Sequence, residues 1–312
     1  MFDRNRLHIQ PLSARKSKTS YYPVTSSVYK LTDKESEFID EIVADIKEKK
    51  KVVLGFGAHF IKNKCQHHLW DIMTTDYITH IVTNGASTIH DFEFAYHGET
   101  EEDVRENLAN GTFGLWETGE HINKAINSHT SLGYGIGLGK YIEEESDKDH
   151  IWAAKCTSLT WQCYMRGIPL SICTSIGHDI IYEHPECDGA KIGEASYIDF
   201  LKLADTLEGL TDAVVLCVGS AITVPMVMEK AIAMAKNVAP ITGTNVSCYV
   251  IDLFDEDNSW GDNKNDEPAK GSVSYFIRPL KTFNRMFPGQ CKYKKMDNRK
   301  LMFYLQERLR DD

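Results

Sequence analysis

Long apolar runs, closely spaced cysteine pairs and an excess of basic residues are all missing from this sequence. No apolar stretch is long enough to cross a membrane, and the polar segment 1–20 lacks the apolar core of a secretory signal. The eight cysteines form no C-x-x-C pair, and Cys173, Cys217 and Cys248 lie inside apolar runs, where a thiol behaves as a small hydrophobic group. We therefore expect a soluble, cytoplasmic protein with reduced cysteines.

Basic residues are also outnumbered, because 35 Lys and Arg stand against 45 Asp and Glu and give a formal net charge of −10. A nucleic-acid-binding surface needs clustered positive charge, so a nucleic-acid partner is not expected. The acidic balance fits a cationic small-molecule substrate slightly better than an anionic one. A merely solvated acidic surface explains it better still.

Strand and helix patterns alternate along most of the 312 residues. Residues 1–30 have little periodic pattern and predict an extended arm, followed by a single domain over 31–312. Short buried strands are predicted at 51–57, 77–82, 168–173, 212–218 and 248–253, with an edge strand at 272–279. Helices are predicted at 31–50, 58–70, 88–96, 151–166, 197–207, 224–236 and 296–310. This alternation indicates an α/β fold: a Rossmann-like, doubly wound, mainly parallel sheet with helices on both faces.

Small polar residues follow four of the predicted strands, in the segments 55–59, 84–87, 174–177 and 219–220. In a doubly wound sheet these carboxyl ends line the crevice in which ligands bind. Glycine there lets the backbone approach a phosphate, and the following helix N-terminus favours negative charge. The stretch Gly55-Phe-Gly57 lacks the third glycine of the dinucleotide fingerprint. The set predicts a nucleotide site, and ordinary tight turns are the alternative.

The densest group of titratable residues comes directly after the segment 84–87. His90 and Glu93 share one face of the predicted helix. A histidine and a carboxylate at the mouth of a ligand crevice can act as a base and its orienting partner. The alternative is that Asp91 or His90 simply caps the helix.

Later in the chain, further polar stretches carry candidate groups for an amine substrate. His178–Asp179 and Glu183–His184 lack the spacing of a zinc motif, so substrate contacts or plain surface are expected there rather than a metal. The acidic segment 252–267 can recognise an ammonium group or can form a solvated loop. Lys270 lies just beyond it and is an imine-forming candidate if buried, with a surface lysine as the alternative.

The order of these pieces resembles deoxyhypusine synthase over about residues 30–285. The similar stretches are 55–62, 83–87 before 90–93, 167–169 leading to 174–175, and 218–220. The sequence is more similar to bacterial deoxyhypusine-synthase-like proteins, in the strings at 57–62, 84–86, 89–93 and 278–279. The resemblance implies a Rossmann-like sheet that binds NAD between the subunits of a homotetramer.

Two parts that deoxyhypusine synthase needs for covalent transfer are absent. Its catalytic lysine lies in a Trp-Gly-Lys string, whereas Lys270 is near that place but out of register, and Thr223–Met226 stands where a histidine base is expected. We therefore expect an NAD-dependent enzyme that oxidises a small amine or polyamine-type substrate, with or without group transfer. The alternatives are an NAD-binding scaffold that has lost the lysine, and a genuine deoxyhypusine or homospermidine synthase that uses Lys270.

The residues for this function combine the strand-end positions with the resemblance. The catalytic candidates are His90, Glu93, His178, Asp179 and Lys270. The NAD-binding candidates are Gly57, Ala58, His59, Asn84, Gly85, Ala86, Ser87, Thr174, Ser175, Gly219, Ser220 and Asp252. No metal site is predicted.

Overall fold

The computed structural model describes residues 2–22, 29–146, 152–208, 210–239, 245–255, 270–272, 275 and 278–310, with the backbone alone at 278–280. The strands are β1 (Thr19–Ser20), β2 (Val52–Phe56), β3 (Ile78–Asn84), β4 (Glu99–Thr100), β5 (Leu170–Cys173), β6 (Ala213–Val218), β7 (Val246–Asp252) and β8 (Cys291–Lys295). The helices are α1 (Asp33–Lys49), α2 (Ala58–Lys62), α3 (Gln66–Met73), α4 (Gly85–His97), α5 (Val104–Asn110), α6 (Glu117–His129), α7 (Tyr134–Ser146), α8 (Leu159–Arg166), α9 (Gly189–Glu208), α10 (Thr223–Val238), α11 (Arg278–Met286) and α12 (Asn298–Leu309). None of the helices in these ranges is long and apolar enough to span a membrane.

The main sheet has six strands in the order β5-β3-β2-β6-β7-β8, and helices surround it. Strand β2 pairs in parallel with β3 and with β6, and β7 pairs in parallel with β6 and with β8. Every residue of β2 and β6 is buried, as expected for central parallel strands that are covered on both faces. The predicted Rossmann-like α/β fold is confirmed.

The chain divides into two compact units. The first consists of Met1–Ser26 and Asn84–Asp199, and the second of Ser27–Thr83 and Phe200–Asp312. Helices α4 to α8 belong to the first unit, and α1 to α3 with α10 to α12 belong to the second. The arm over 1–30 and the single domain over 31–312 stay predictions beside this division.

Helix α1 begins and ends as its sequence predicts. The Thr32 hydroxyl accepts the N–H of Glu35 at 3.3 Å, and the Glu35 carboxylate accepts the N–H of Thr32 at 2.8 Å. This capping box satisfies two N–H groups that the helix itself cannot. Lys50 ends the helix with a left-handed φ of 54°.

The segments 58–70 and 131–140 are among those whose helices differ from the prediction. The helix predicted over 58–70 is interrupted between α2 and α3, where Lys64 has a φ of 62°. The glycine-rich segment 131–140, for which no element was predicted, contributes the start of α7. A Cβ at Gly135 would lie 2.4 Å from the Leu170 carbonyl oxygen, and one at Gly139 would lie 2.3 Å from that of Thr160. These glycines therefore serve close backbone packing rather than a turn.

The end of the sheet also differs from the prediction. The edge strand predicted over 272–279 is wrong, because Ser272 lies in a bend and α11 begins at Arg278. Proline at position 279 is compatible with the first turn of a helix, where its missing N–H has no partner to lose. The edge strand is β8 instead, whose lysine-rich sequence has the polar character of a protected edge and no apolar run that would reveal it.

Candidate functional site

The turn after β6, in the second unit, leaves the Cβ position of Gly219 open, because the described atom nearest to that position lies 4.0 Å away. Gly219 has a φ of 62°, and its N–H donates to the Ile251 carbonyl at 2.8 Å, which extends the ladder between β6 and β7. Ser220 is buried, and its hydroxyl accepts the N–H of Val224 at 3.3 Å at the start of α10. Because α10 has 16 residues, the partial positive charge at its N-terminus favours an anion at this turn.

Asp252 ends the neighbouring strand β7 beside this turn. Val218 pairs with Ile251, so Gly219 and Asp252 are the next residues of the two parallel strands. The half-buried Asp252 carboxylate accepts the N–H of Leu253 through Oδ1 at 2.7 Å. Burial raises the pKa of Asp252, whereas the Leu253 N–H and the positive charge of nearby His59 oppose this shift. An acceptor thus stands one strand away from an anion-favouring turn, which is the arrangement that binds the ribose and phosphate of a dinucleotide.

The two glycines at the carboxyl end of β2 are used for packing. A Cβ at Gly55 would lie 2.5 Å from Cγ1 of Val224, and a Cβ at Gly57 would lie 2.4 Å from the Gly219 carbonyl oxygen. Helix α10 and the β6 turn therefore fill the space that these glycines leave. Ala58 is half-buried and His59 exposed at the start of α2, a helix of only five residues.

The turn after β3 leads into α4, in the first unit. Asn84 Oδ1 accepts hydrogen bonds from the N–H of Ser87 at 3.1 Å and from its hydroxyl at 2.9 Å. Asn84 is therefore the N-cap of α4, and the alternative cap by His90 or Asp91 is wrong.

The space at Gly85, the first residue of α4, is filled by a carboxylate. A Cβ at Gly85 would lie 2.3 Å from Oδ2 of Asp179, and Ala86 is half-buried. A carboxylate therefore already occupies the positive end of α4, and it would repel a phosphate there.

Asp179 is a carboxylate of this unit with a raised pKa. Burial raises its pKa to about 6, and the charge of the exposed His178 opposes this shift. Within the part of the chain that the structure describes, its side chain accepts no hydrogen bond from protein. A carboxyl group with these properties can bind an ammonium group, or can accept a proton near neutral pH.

His90 and Glu93 belong to a hydrogen-bonded chain in the same unit. The Glu93 carboxylate is 1% exposed and accepts hydrogen bonds from both terminal nitrogens of Arg15, at 2.7 and 2.8 Å. It also accepts hydrogen bonds from the hydroxyls of Thr118 and Thr100, at 2.8 and 2.6 Å. Because Thr100 donates its single hydrogen to Glu93, it accepts from Nδ1 of His90 at 2.7 Å. Burial raises the pKa of Glu93, but Arg15, together with Thr100 and His90, more than offsets it, and the net shift is downward. This is the environment of a structural ion pair.

The remaining predicted residues lie in an exposed turn or near its start. The Thr174 hydroxyl donates to Ser196 Oγ at 2.8 Å, and the N–H of His178 donates to the Ser175 carbonyl at 3.0 Å. Ser175 and His178 are exposed. No group of three or more His, Cys, Asp or Glu side chains in the described ranges is arranged to hold a metal ion.

Lys270 is exposed, which is not the environment of an imine-forming lysine. Of the predicted acidic loop over 252–267, residues 256–267 lie outside the described residues, so the proposed ammonium recognition by this loop stays a prediction. All eight cysteines are free.

Sequence reasoning missed a pair of asparagines beside Gly219. Asn63 Nδ2 donates to Oδ1 of Asn298 at 2.9 Å, and Asn298 is the first residue of α12. The position of Asn298 after a strand was a usable signal, but only if the polar β8 had been recognised as a strand.

Comparison with known proteins supports the fold. No family model and no curated protein matches the sequence. A ternary complex of AgrE with ornithine and NAD+ matches with a TM-score of 0.52 at 13% identity, over 91% of this chain and 34% of AgrE. An AgrE variant bound to L-arginine matches with a TM-score of 0.50 at 15% identity, again over 91% of this chain and 34% of AgrE. A conserved protein described as LOR/SDH from Methanococcus maripaludis S2 matches with a TM-score of 0.50 at 13% identity, over 95% of this chain and 75% of that protein.

The chain thus spans about a third of the length of AgrE. At these identities the likeness extends to the fold and no further. The resemblance to deoxyhypusine synthase gains no support from these structures. By its fold, this chain is an α/β protein of the same Rossmann-like architecture as AgrE and the LOR/SDH protein.

Proposed function

We propose that this chain is an NAD-dependent enzyme that oxidises a small amine. The observation that carries the proposal is the arrangement at the carboxyl ends of β6 and β7. There the open Gly219 turn, the N-terminus of α10 and the Asp252 carboxylate lie side by side in one unit. Residues of this kind fit the pyrophosphate and the ribose hydroxyls of a dinucleotide.

NAD supplies a hydride acceptor when it is bound. In this proposal the turn at Gly219 and Ser220 holds the phosphates, and Asp252 accepts hydrogen bonds from a ribose. The carboxylate is suited to this role because, among the residues that the structure describes, Leu253 engages Oδ1 and leaves Oδ2 for a ligand. Gly57 contributes by allowing the Gly219 turn to approach β2.

The amine half of the proposal rests on Asp179. Oxidation of an amine removes a hydride from the carbon that bears nitrogen and a proton from the nitrogen. Within the first unit, a carboxylate with a pKa of about 6 can bind an ammonium group and can accept a proton near neutral pH. His90 and His178 stay candidates for substrate orientation, whereas we leave Glu93 out because Arg15, Thr100 and Thr118 already occupy its oxygens.

The names of the structural neighbours are consistent with this proposal. AgrE has been crystallised with ornithine and NAD+ and with L-arginine, which are amine-bearing amino acids. These ligands belong to AgrE, and they suggest a first set of substrates to test.

The finer assignment to the deoxyhypusine synthase superfamily has less support. The exposed Lys270 lacks the setting that an imine nucleophile needs, so the group-transfer step and the genuine synthase are disfavoured. The same observation favours the second candidate function, an NAD-binding scaffold without amine chemistry. Assembly as a homotetramer, the cytoplasmic location and the absence of a nucleic-acid partner stay predictions from the sequence.

Calorimetric titration with NAD tests the cofactor half. We expect Asp252→Asn to weaken NAD binding about 10-fold or more, because a charge-assisted hydrogen bond contributes roughly 1.5–3 kcal/mol. The matched control is Asp255→Asn, an exposed carboxylate in the same loop that pairs with Lys295 at 2.6 Å, and it should bind within 2-fold of the wild type.

A wild-type protein that does not bind NAD would contradict the proposal. If NAD binds, absorbance of the reduced nicotinamide on addition of ornithine, arginine or a polyamine separates the enzyme from the scaffold.

A further inference from the structure

The Cβ position of Gly219 faces the side-chain amide of Asn298. Among the described residues, a Cβ at this glycine would have one heavy atom within 4 Å, which is Nδ2 of Asn298 at 4.0 Å. Gly57, by contrast, has backbone atoms pressed against the corresponding position. The space beside Gly219 is therefore bordered by an amide nitrogen.

The orientation of this amide is set by a second asparagine. Asn63 Nδ2 donates to Oδ1 of Asn298 at 2.9 Å, so the oxygen of Asn298 is engaged and its NH2 group is left to point the other way. Asn63 lies at the end of α2, and Asn298 begins α12 directly after its N-cap Asp297. Each amide is thus anchored at a helix terminus.

We infer that Asn298 is a phosphate-positioning residue of this chain: its NH2 group donates a hydrogen bond to the phosphate of a nucleotide held at the Gly219 turn, and Asn63 fixes the amide in the donating orientation. This inference rests on the proposed NAD site and adds a donor to it that comes from a third strand end. Amide nitrogen is a pure donor, which suits an acceptor-only phosphate.

The inference predicts opposite effects on affinity and on stability. Asn298→Asp keeps the shape of the side chain and keeps an oxygen for Asn63 to donate to, but it replaces the donor with a negative charge that repels phosphate. A carboxylate in the first turn of α12 is favourable for the helix, so the variant should unfold at the same or a higher urea concentration than the wild type. If the two asparagines served only to link α2 and α12, affinity would not change.

The test is calorimetric titration of the full-length protein with NAD and with ADP. We expect Asn298→Asp to weaken both ligands at least 10-fold, and Asn298→Ala to weaken both about 3- to 10-fold. The matched control is Asn245→Asp, which introduces the same charge at an exposed position just before β7, at the amino end of this strand and not at the carboxyl end that precedes the site. It should bind both ligands within 2-fold of the wild type.

The outcomes separate the two proposals. If the wild type binds neither ligand, the proposed function fails together with the inference. If the wild type binds and both Asn298→Asp and Asn298→Ala match Asn245→Asp, the inference alone is overturned and the NAD site stands. If Asn298→Asp does not fold, the Asn298→Ala result decides, with unchanged affinity overturning the inference.

Discussion

Two turns of this chain have similar sequences and opposite electrostatics. After both β6 and β3, glycine, serine and other small residues stand where a buried strand ends and a long helix begins. At Gly219 the helix N-terminus is left with an amide donor and an open side, whereas at Gly85 a carboxylate from Asp179 fills the equivalent space. Glycine in a strand-to-helix turn therefore does not by itself indicate a phosphate site. Whether such a turn favours phosphate depends on the charge of the side chain that packs against it from a distant part of the chain.

The difference divides the predicted site residues by role. The β6 turn suits an anion, which is why we propose it as the place for a cofactor phosphate. The β3 turn has its own internal anion, which suits a cationic substrate. The two turns look similar in the sequence because the Asp179 carboxylate that fills the space at Gly85 is distant in the chain. Asp179 is separated from Gly85 by most of the first unit.

The largest change in unfolding free energy is expected from a substitution of Glu93. It tests whether Glu93 is a structural ion-pair partner, in contrast to Asp179. Glu93→Gln leaves the Arg15 guanidinium buried without its counter-charge, so we expect unfolding free energy to fall by about 3 kcal/mol in urea denaturation. The control Glu120→Gln removes a half-exposed partner of Lys124 on α6 and should cost less than about 0.5 kcal/mol. Equal stability of the two variants would contradict the structural role of Glu93.

Asp179→Asn is expected to change the unfolding free energy by a smaller amount than Glu93→Gln, and in the stabilising direction. Its native pKa of about 6 is higher than the usual 3.8, so ionisation is disfavoured in the folded protein. The contribution of Asp179 to stability should therefore fall as pH rises from about 4 to 6, because the unfolded chain loses this proton first. Asp179→Asn removes the penalty and should become more stable than the wild type by roughly 1–2 kcal/mol at pH 7, with no gain below pH 4.

Urea denaturation across pH 4–8 measures this difference. The exposed Asp205 supplies the control, since Asp205→Asn should follow the wild type at every pH. A pH-independent difference for Asp179→Asn would show that this carboxyl group has an ordinary pKa, and the proposed proton-accepting role would lose its support.

Much of the fold could be predicted from the sequence because its signals are local. The continuous apolar runs of β2 and β6 and the capping residues of α1 depend only on neighbours in the chain. The edge strand β8 could not, because lysines replace the apolar pattern in a strand that is solvated on one side. The break after α2 was also hidden, since Asn63 is held by a residue 235 positions away.

The candidate site was less predictable than the fold for the same reason. Which residues end the strands is local, so Gly219, Asp252 and Asn84 could be proposed. Whether a ligand can reach each of them depends on side chains such as Asp179, Asn298 and Arg15. These side chains are distant in the sequence, so a local sequence pattern does not reveal the contacts. Glu93 illustrates this: its helical neighbours suggested a base, while an arginine 78 residues earlier makes it structural.

The most direct test of the contrast between the two turns is hydrogen–deuterium exchange with and without saturating NAD. We predict slower exchange on NAD binding in peptides that cover 219–224, where the phosphates would engage the start of α10. We predict no change in peptides that cover 85–88, where Asp179 already occupies the start of α4. Protection confined to 85–88, with NAD bound and 219–224 unchanged, would contradict the account.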